Sequence, residues 1–164
     1  MAKRKTIVFY LTACVTVVVD QVTKLLARHF LTSDVAVTII PGLINLDLTY
    51  NRGGAFGILP NWAPLFIIAA LVAIYAMVRL GGNGSASKSL VIGLGLLMGG
   101  AVGNLIDRIA FASKGVTDFI SIYVIFGGQA HAWPTFNFAD VAIVLGAIFL
   151  FYHVYIVEKQ SSNP

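Results

Sequence analysis

Apolar residues run through this chain in long blocks, and the polar ones gather between them. A helix needs roughly 20 apolar residues to cross the hydrocarbon of a bilayer. Four blocks reach about that length, at about 6–27, 62–80, 90–109 and 138–157. The second opens with Pro60, Trp62 and Pro64. The third is rich in glycine ("VIGLGLLMGGAVGN"), and small residues let helices approach closely in lipid, where packing replaces the hydrophobic drive. At about 35–58 the pattern changes. Val37, Ile39, Leu43, Ile44, Leu46 and Leu48 alternate in part with polar residues around Pro41-Gly42, which predicts a hairpin or small sheet on the membrane surface. "GGNGSASK" reads as a short turn between spans two and three, and the mixed stretch 111–137 as an interfacial loop. The expected fold is an all-α polytopic membrane protein. Four transmembrane helices form one domain over 1–164, with a small extramembrane β-sheet between spans one and two.

Composition sharpens this picture. The chain is 58% hydrophobic and 11% charged, against about 25% charged residues in a soluble domain. A formal charge of +4 without an aromatic-interleaved basic stripe argues against a nucleic-acid partner. Cys14 is the only cysteine, so an internal disulfide and a cysteine-rich metal site are excluded. The basic start and "LTAC" resemble a cleavable leader, but the apolar run continues through Val19. The segment is therefore read as a retained span, with Cys14 a small packing residue. With the N-terminus inside, Lys3, Arg4, Lys5, Arg79, Lys88 and Lys159 are cytoplasmic, and Lys24, Arg28, Arg52, Arg108 and Lys114 fall outside. That balance favours cytoplasmic termini only slightly. It is strengthened because Lys24, Arg52 and Arg108 each sit in a polar motif that gives them another use.

The acids carry the candidate chemistry. All six aspartates, Asp20, Asp34, Asp47, Asp107, Asp118 and Asp140, fall at outer span ends or in outer loops, and Glu158 alone lies at the inner end. Ionisable residues bordering a span are costly and point to function. Asp20 and Lys24 are an i,i+4 pair that can neutralise each other. "GNLIDR" sets Asn104 and Asp107 on one helix face, with Arg108 beside the acid. Asp107 reads as a loop-holding residue kept charged by an arginine. "FNFAD" sets Asn137 and Asp140 three apart where span four begins, which a helix N-cap would also explain. Asp118, in "GVTDFIS", would be an ordinary turn residue if it stood alone. Two carboxylates about 3 Å apart cannot both ionise. One could take a proton from an attacking water while the other donates to the developing oxyanion. No serine, cysteine or histidine pattern offers an equal alternative, and the histidines show no zinc spacing.

The blocks "DQVTK", "LTYNRGGAFG", "GGAVGNLIDR", "GVTDF" and "FNFAD", in this order among four apolar spans, resemble the lipoprotein signal peptidase (signal peptidase II) family across nearly the whole chain. The resemblance implies a bacterial inner-membrane aspartic endopeptidase that uses no metal or organic cofactor. Such an enzyme cuts signal peptides from prolipoproteins just before the diacylglyceryl-modified cysteine. It implies a catalytic pair of Asp118 and Asp140, with support or substrate contact from Asp20, Lys24, Asn51, Gly54, Asn104, Asp107, Arg108 and Asn137. It also implies membrane lipids as surroundings, an active site on the periplasmic side, and sensitivity to the inhibitor globomycin. Relatives often carry Gly-Ala or Ala-Ala where Gly53-Gly54 stand and Val where Thr117 stands, and "FGGQAHAWP" makes the stretch between the two acids long for the family. The rival reading is a small proton-linked transporter or channel. Against it, the acids cluster at one surface and form no relay through the bilayer.

Overall fold

A computed structural model describes residues 2–33, 35–53, 62–82, 87–127 and 129–157. Asp34, Gly54, Pro60, Glu158, Lys159 and the middle half of the "GGNGSASK" turn lie outside the described residues. The described elements are α1 (Ala2–Phe30), β1 (Val37–Ile40), β2 (Ile44–Asn51), α2 (Ala63–Gly81), α3 (Lys88–Ala110), β3 (Val116–Phe126), β4 (Gln129–Ala132) and α4 (Phe138–Tyr152). A π-helical turn, His153–Val157, continues α4. Helices α1, α2 and α3, and α4 together with its π-helical turn, are long and apolar enough to cross a membrane.

Helix α3 is central and packs against α1, α2 and α4. Its glycines make this possible. A side chain at Gly95 or Gly99 would run into the α1 backbone and Thr12 or Thr16, and one at Gly93 or Gly100 into α4. The α1 face turned inward recurs every three or four residues: Phe9, Ala13, Thr16, Asp20, Lys24 and Ala27, the spacing of one helical stripe. Phe9 and Ala13 join Met77 of α2 and Val91, Leu94 and Met98 of α3 in an apolar core. Helix starts follow ordinary chemistry. Ser87 caps α3 by accepting from the Leu90 N–H, and α2 has Pro64 in its first turn, where the missing N–H costs nothing.

The sheet sits at the end of the bundle where α1 finishes. Its strands run in the order β1-β2-β3-β4, each pair antiparallel. Expectation and structure differ here. Among the described residues, the segment between α1 and α2 supplies β1 and β2, and the stretch read as an interfacial loop supplies β3 and β4. The strand was hidden because Val116, Thr117, Asp118 and Phe119 are all buried, so β3 lacks the alternation of a one-sided strand. Cys14 is a second correction. It is exposed on the outside of the bundle and does not serve as packing.

Candidate active site

Two elements from distant parts of the chain bring the acids together. Asp118 is the third residue of β3. Gly115, just before this strand, has φ +95° and lies against the backbone of Asn51, a conformation and a closeness that a side chain would forbid. That approach sets the register of β2 on β3, with Asn51 opposite Val116 and Thr49 opposite Asp118. Asn51 and Asp118 then share a face of the sheet, and the Asn51 side chain hydrogen-bonds the carboxylate.

Asp140 is the third residue of α4 and closes a capping box with Asn137. The Asn137 Oδ1 accepts from the Asp140 N–H at 3.0 Å, and the Asp140 Oδ2 accepts from the Asn137 N–H at 3.1 Å. This meets two of the N–H groups that a helix start leaves without partners. The cap leaves other polar atoms free to act. Asn137 Nδ2 donates to Asp118 Oδ1 at 2.7 Å, and Asp140 Oδ1 accepts from Asn104 Nδ2 at 2.9 Å. Asn137 therefore bonds to both carboxylates.

The two environments differ. Asp118 is 3% exposed, whereas Asp140 is only half-buried. Burial, with the nearby negative charge of Asp140 next in weight, pushes the Asp118 carboxyl up to about 7. Hydrogen bonds from Asn137 and Asn51, and the charge of Lys24, pull the other way without cancelling the shift. A carboxyl raised this far holds a proton into the neutral range.

Behind the pair lies a buried ionic cluster. Lys24, fully buried, approaches Asp20 Oδ2 at 2.9 Å and Asp107 Oδ2 at 3.6 Å. Arg28 reaches Asp107 Oδ1 at 3.6 Å, donates to Thr117 Oγ1 at 2.9 Å and lies over the Phe111 ring. Gln21 donates to Asp20 Oδ2 and to the Gly103 carbonyl. Gly103 lies directly against Asp20, which brings α1 and α3 together at this level. Lys24 also donates to Asn104 Oδ1 at 2.9 Å. An ammonium can only donate, so it fixes the Asn104 amide with its nitrogen toward Asp140. Arg108 donates to the carbonyls of Asn104 and Gly53 at 3.2 Å each and stacks toward Phe66. A cavity of about 200 Å³ opens beside the pair, with Asn51, Arg52, Arg108 and Gly115 in its wall; neither aspartate lines it.

The comparisons with known proteins bear on this arrangement. Residues 12–156 match the family model described as signal peptidase (SPase) II. The chain belongs to the signal peptidase II family. It is 40% identical to the lipoprotein signal peptidase of Oleidesulfovibrio alaskensis over 155 residues, covering 90% of this chain and 94% of that one. It is also 40% identical to the lipoprotein signal peptidase of Symbiobacterium thermophilum over 151 residues, covering 92% and 95%. A solved bacterial membrane enzyme superposes with a TM-score of 0.79 at 30% identity, covering 94% of this chain and 90% of the other. This member of the signal peptidase II family is therefore a multi-pass membrane protease, a hydrolase, built from four apolar helices and a four-stranded sheet.

Of the residues singled out from sequence, Asp20, Lys24, Asn51, Asn104, Asp107, Arg108 and Asn137 are all brought around Asp118 and Asp140. Gly54 lies outside the described residues. Asp107 is paired differently from expectation. Its cationic neighbours in the structure are Lys24 and Arg28, because Arg108, next in sequence, points to another helix face. Sequence reasoning missed Arg28, Gln21 and Thr117. The spacing Asp20, Lys24, Arg28, each four apart on α1, was the available signal for Arg28.

Proposed function

We propose that Asp118 and Asp140 are the catalytic pair of a peptidase that removes signal peptides from prolipoproteins, cutting just before the diacylglyceryl-modified cysteine. The observation that carries this reading is the double hold of Asn137, 2.7 Å from one carboxylate and 3.1 Å from the other. In this reading Asp118 carries the shared proton and Asp140, more open to water, acts as the base. Asp140 takes a proton from water as its oxygen bonds to the scissile carbonyl carbon. Asp118 donates to the carbonyl oxygen as charge develops there. The tetrahedral intermediate collapses, the C–N bond breaks, and the leaving nitrogen takes a proton from the pair.

The depth of the site fits such a substrate. Asp140 lies in the first turn of an apolar helix, so a lipid-anchored cysteine can keep its chains in the bilayer while its peptide bond reaches the acid. Holding both reactants this way removes much of the entropic barrier. The active site then faces the periplasm and both termini the cytoplasm of the bacterial inner membrane. Globomycin is the expected inhibitor, and the polar wall of Asn51 and Arg108 the expected contact for substrate backbone.

The test is cleavage of a synthetic diacylglyceryl-modified precursor by the purified protein. A single cut before the cysteine, blocked by globomycin, is expected. Loss of cutting in Asp118→Asn and Asp140→Asn, with both proteins still folded, is required. Full activity in either variant overturns the assignment.

A further inference from the structure

Both candidate acids are preceded by a backbone N–H that a buried carboxylate from another helix accepts. Asp107 Oδ2 accepts from the Thr117 N–H at 2.8 Å, one residue before Asp118. Asp20 Oδ1 accepts from the Ala139 N–H at 2.9 Å, one residue before Asp140. The second contact serves one of the orphan donors at a helix start, where water or a local side chain would do. Here a fully buried acid of α1 does it instead. Lys24 lies between the two carboxylates, 2.9 Å from Asp20 and 3.6 Å from Asp107.

We propose that Asp20, Asp107 and Lys24 act as one positioning device for the aspartate pair. The two carboxylates set the backbone immediately ahead of each acid, and the ammonium fixes the carboxylates to each other. The proposal rests on the reading of Asp118 and Asp140 as the catalytic pair. Stability alone does not account for the cluster, because well-packed apolar side chains commonly match or exceed a buried ion pair. None of the three side chains bonds either acid directly. Lys24 reaches Asp140 only through Asn104. Catalysis needs the two acids at fixed separation. Backbone bonds between Phe136 and both Phe119 and Ile120 tie β3 to the chain entering α4, and the device ties that seam to the helix bundle. α1 and α3, closely packed at Gly103, supply the rigid reference.

The test compares leucine with asparagine at Asp20 and Asp107, alongside Lys24→Met. Leucine removes the acceptor and asparagine keeps it. In the leucine variants kcat falls about a hundredfold with KM within about twofold, the scale of a small misplacement of reacting groups. The asparagine variants stay within about tenfold of the parent, since a side-chain oxygen still meets the N–H. In Lys24→Met the limb of the pH–rate profile governed by Asp118 moves to higher pH, because a cation that favours its ionised form has gone. Leucine variants with parental kcat, equal losses for leucine and asparagine, or losses confined to KM each overturn the proposal. Where a leucine variant does not fold, Asp20→Asn, Asp107→Asn and their combination decide. A single device gives a combined loss smaller than the product of the two, and a simple product overturns it. Activity in Asp118→Asn or Asp140→Asn brings down the catalytic reading itself. Inactivity there, with parental kcat in folded Asp107→Leu, brings down the positioning device alone.

Discussion

The inward stripe of α1 passes through two regions that obey different rules. In its first half Phe9, Ala13 and Thr16 meet Met77, Val91, Leu94, Gly95, Met98 and Gly99, and contact is a matter of shape. In its second half Asp20 and Lys24 meet Gly103, Asn104 and Asp107, and contact is a matter of charge and hydrogen bonding. The same helix pair, α1 against α3, carries both. The difference teaches where specificity is stored. Shape holds the helices side by side, whereas the polar half fixes their height and rotation, because each donor there has one acceptor at one distance.

Four substitutions and one titration probe that contrast. The largest effect is expected at the polar end. Asp118→Asn and Asp140→Asn should each lower cleavage by about a thousandfold or more, the scale of losing a general acid or base, while melting in detergent stays close to the parent. A large drop in melting temperature with residual activity would move the pair from chemistry to structure. Next comes the close approach of α1 and α3. Gly99→Leu places a side chain into Thr16 and the Ala13 carbonyl and should destabilise by about 3 kcal/mol, the upper range for overpacking, read as a lost melting transition. Phe9→Ala in the apolar half should cost about 3 kcal/mol, mostly as a cavity, at the low end for such truncations. Cleavage by the folded fraction should be unchanged. If Phe9→Ala instead lowers kcat in the folded fraction, the two halves are not separate.

The smallest effect, taken per pH unit, is a titration. Asp118 is raised in the folded state from an ordinary carboxyl value to about 7, so the folded chain holds a proton that the unfolded chain has released over about pH 4 to 7. Its contribution is fully present below pH 4 and is lost as pH rises to 7. The slope is at most about 1.4 kcal/mol per pH unit. Melting temperature should therefore decline across this window in the parent, and the decline should flatten in Asp118→Asn. An unaltered slope would place the titration elsewhere.

Much of the architecture was legible because membrane helices announce themselves by length alone, and α1 through α4 each fall on one of those apolar blocks. The acids were legible because ionised side chains beside a span have few innocent explanations. Other features were not. β3 is buried on both faces where it carries Asp118, so no period-two pattern reveals a strand. Thr117 contributes through its backbone N–H, which no side-chain motif reports. Cys14 failed because in lipid the outside of a bundle is as apolar as the inside, so a small apolar residue carries no sign of which way it faces. The Asn137 and Asp140 spacing suggested a cap, and the cap is present. No spacing in the chain signals that one asparagine can cap a helix and span two acids at once.

The pairing of β2 with β3 has a practical corollary. Severed after Gly82, the chain falls into two pieces with two helices and two strands each. The first holds Asp20, Lys24 and Asn51, and the second both Asp118 and Asp140. Neither piece owns a complete centre, but the ladder from Asn51–Val116 to Ile44–Ile122 offers each a seam to reunite along. Co-expressed halves should recover cleavage that is absent from either half alone.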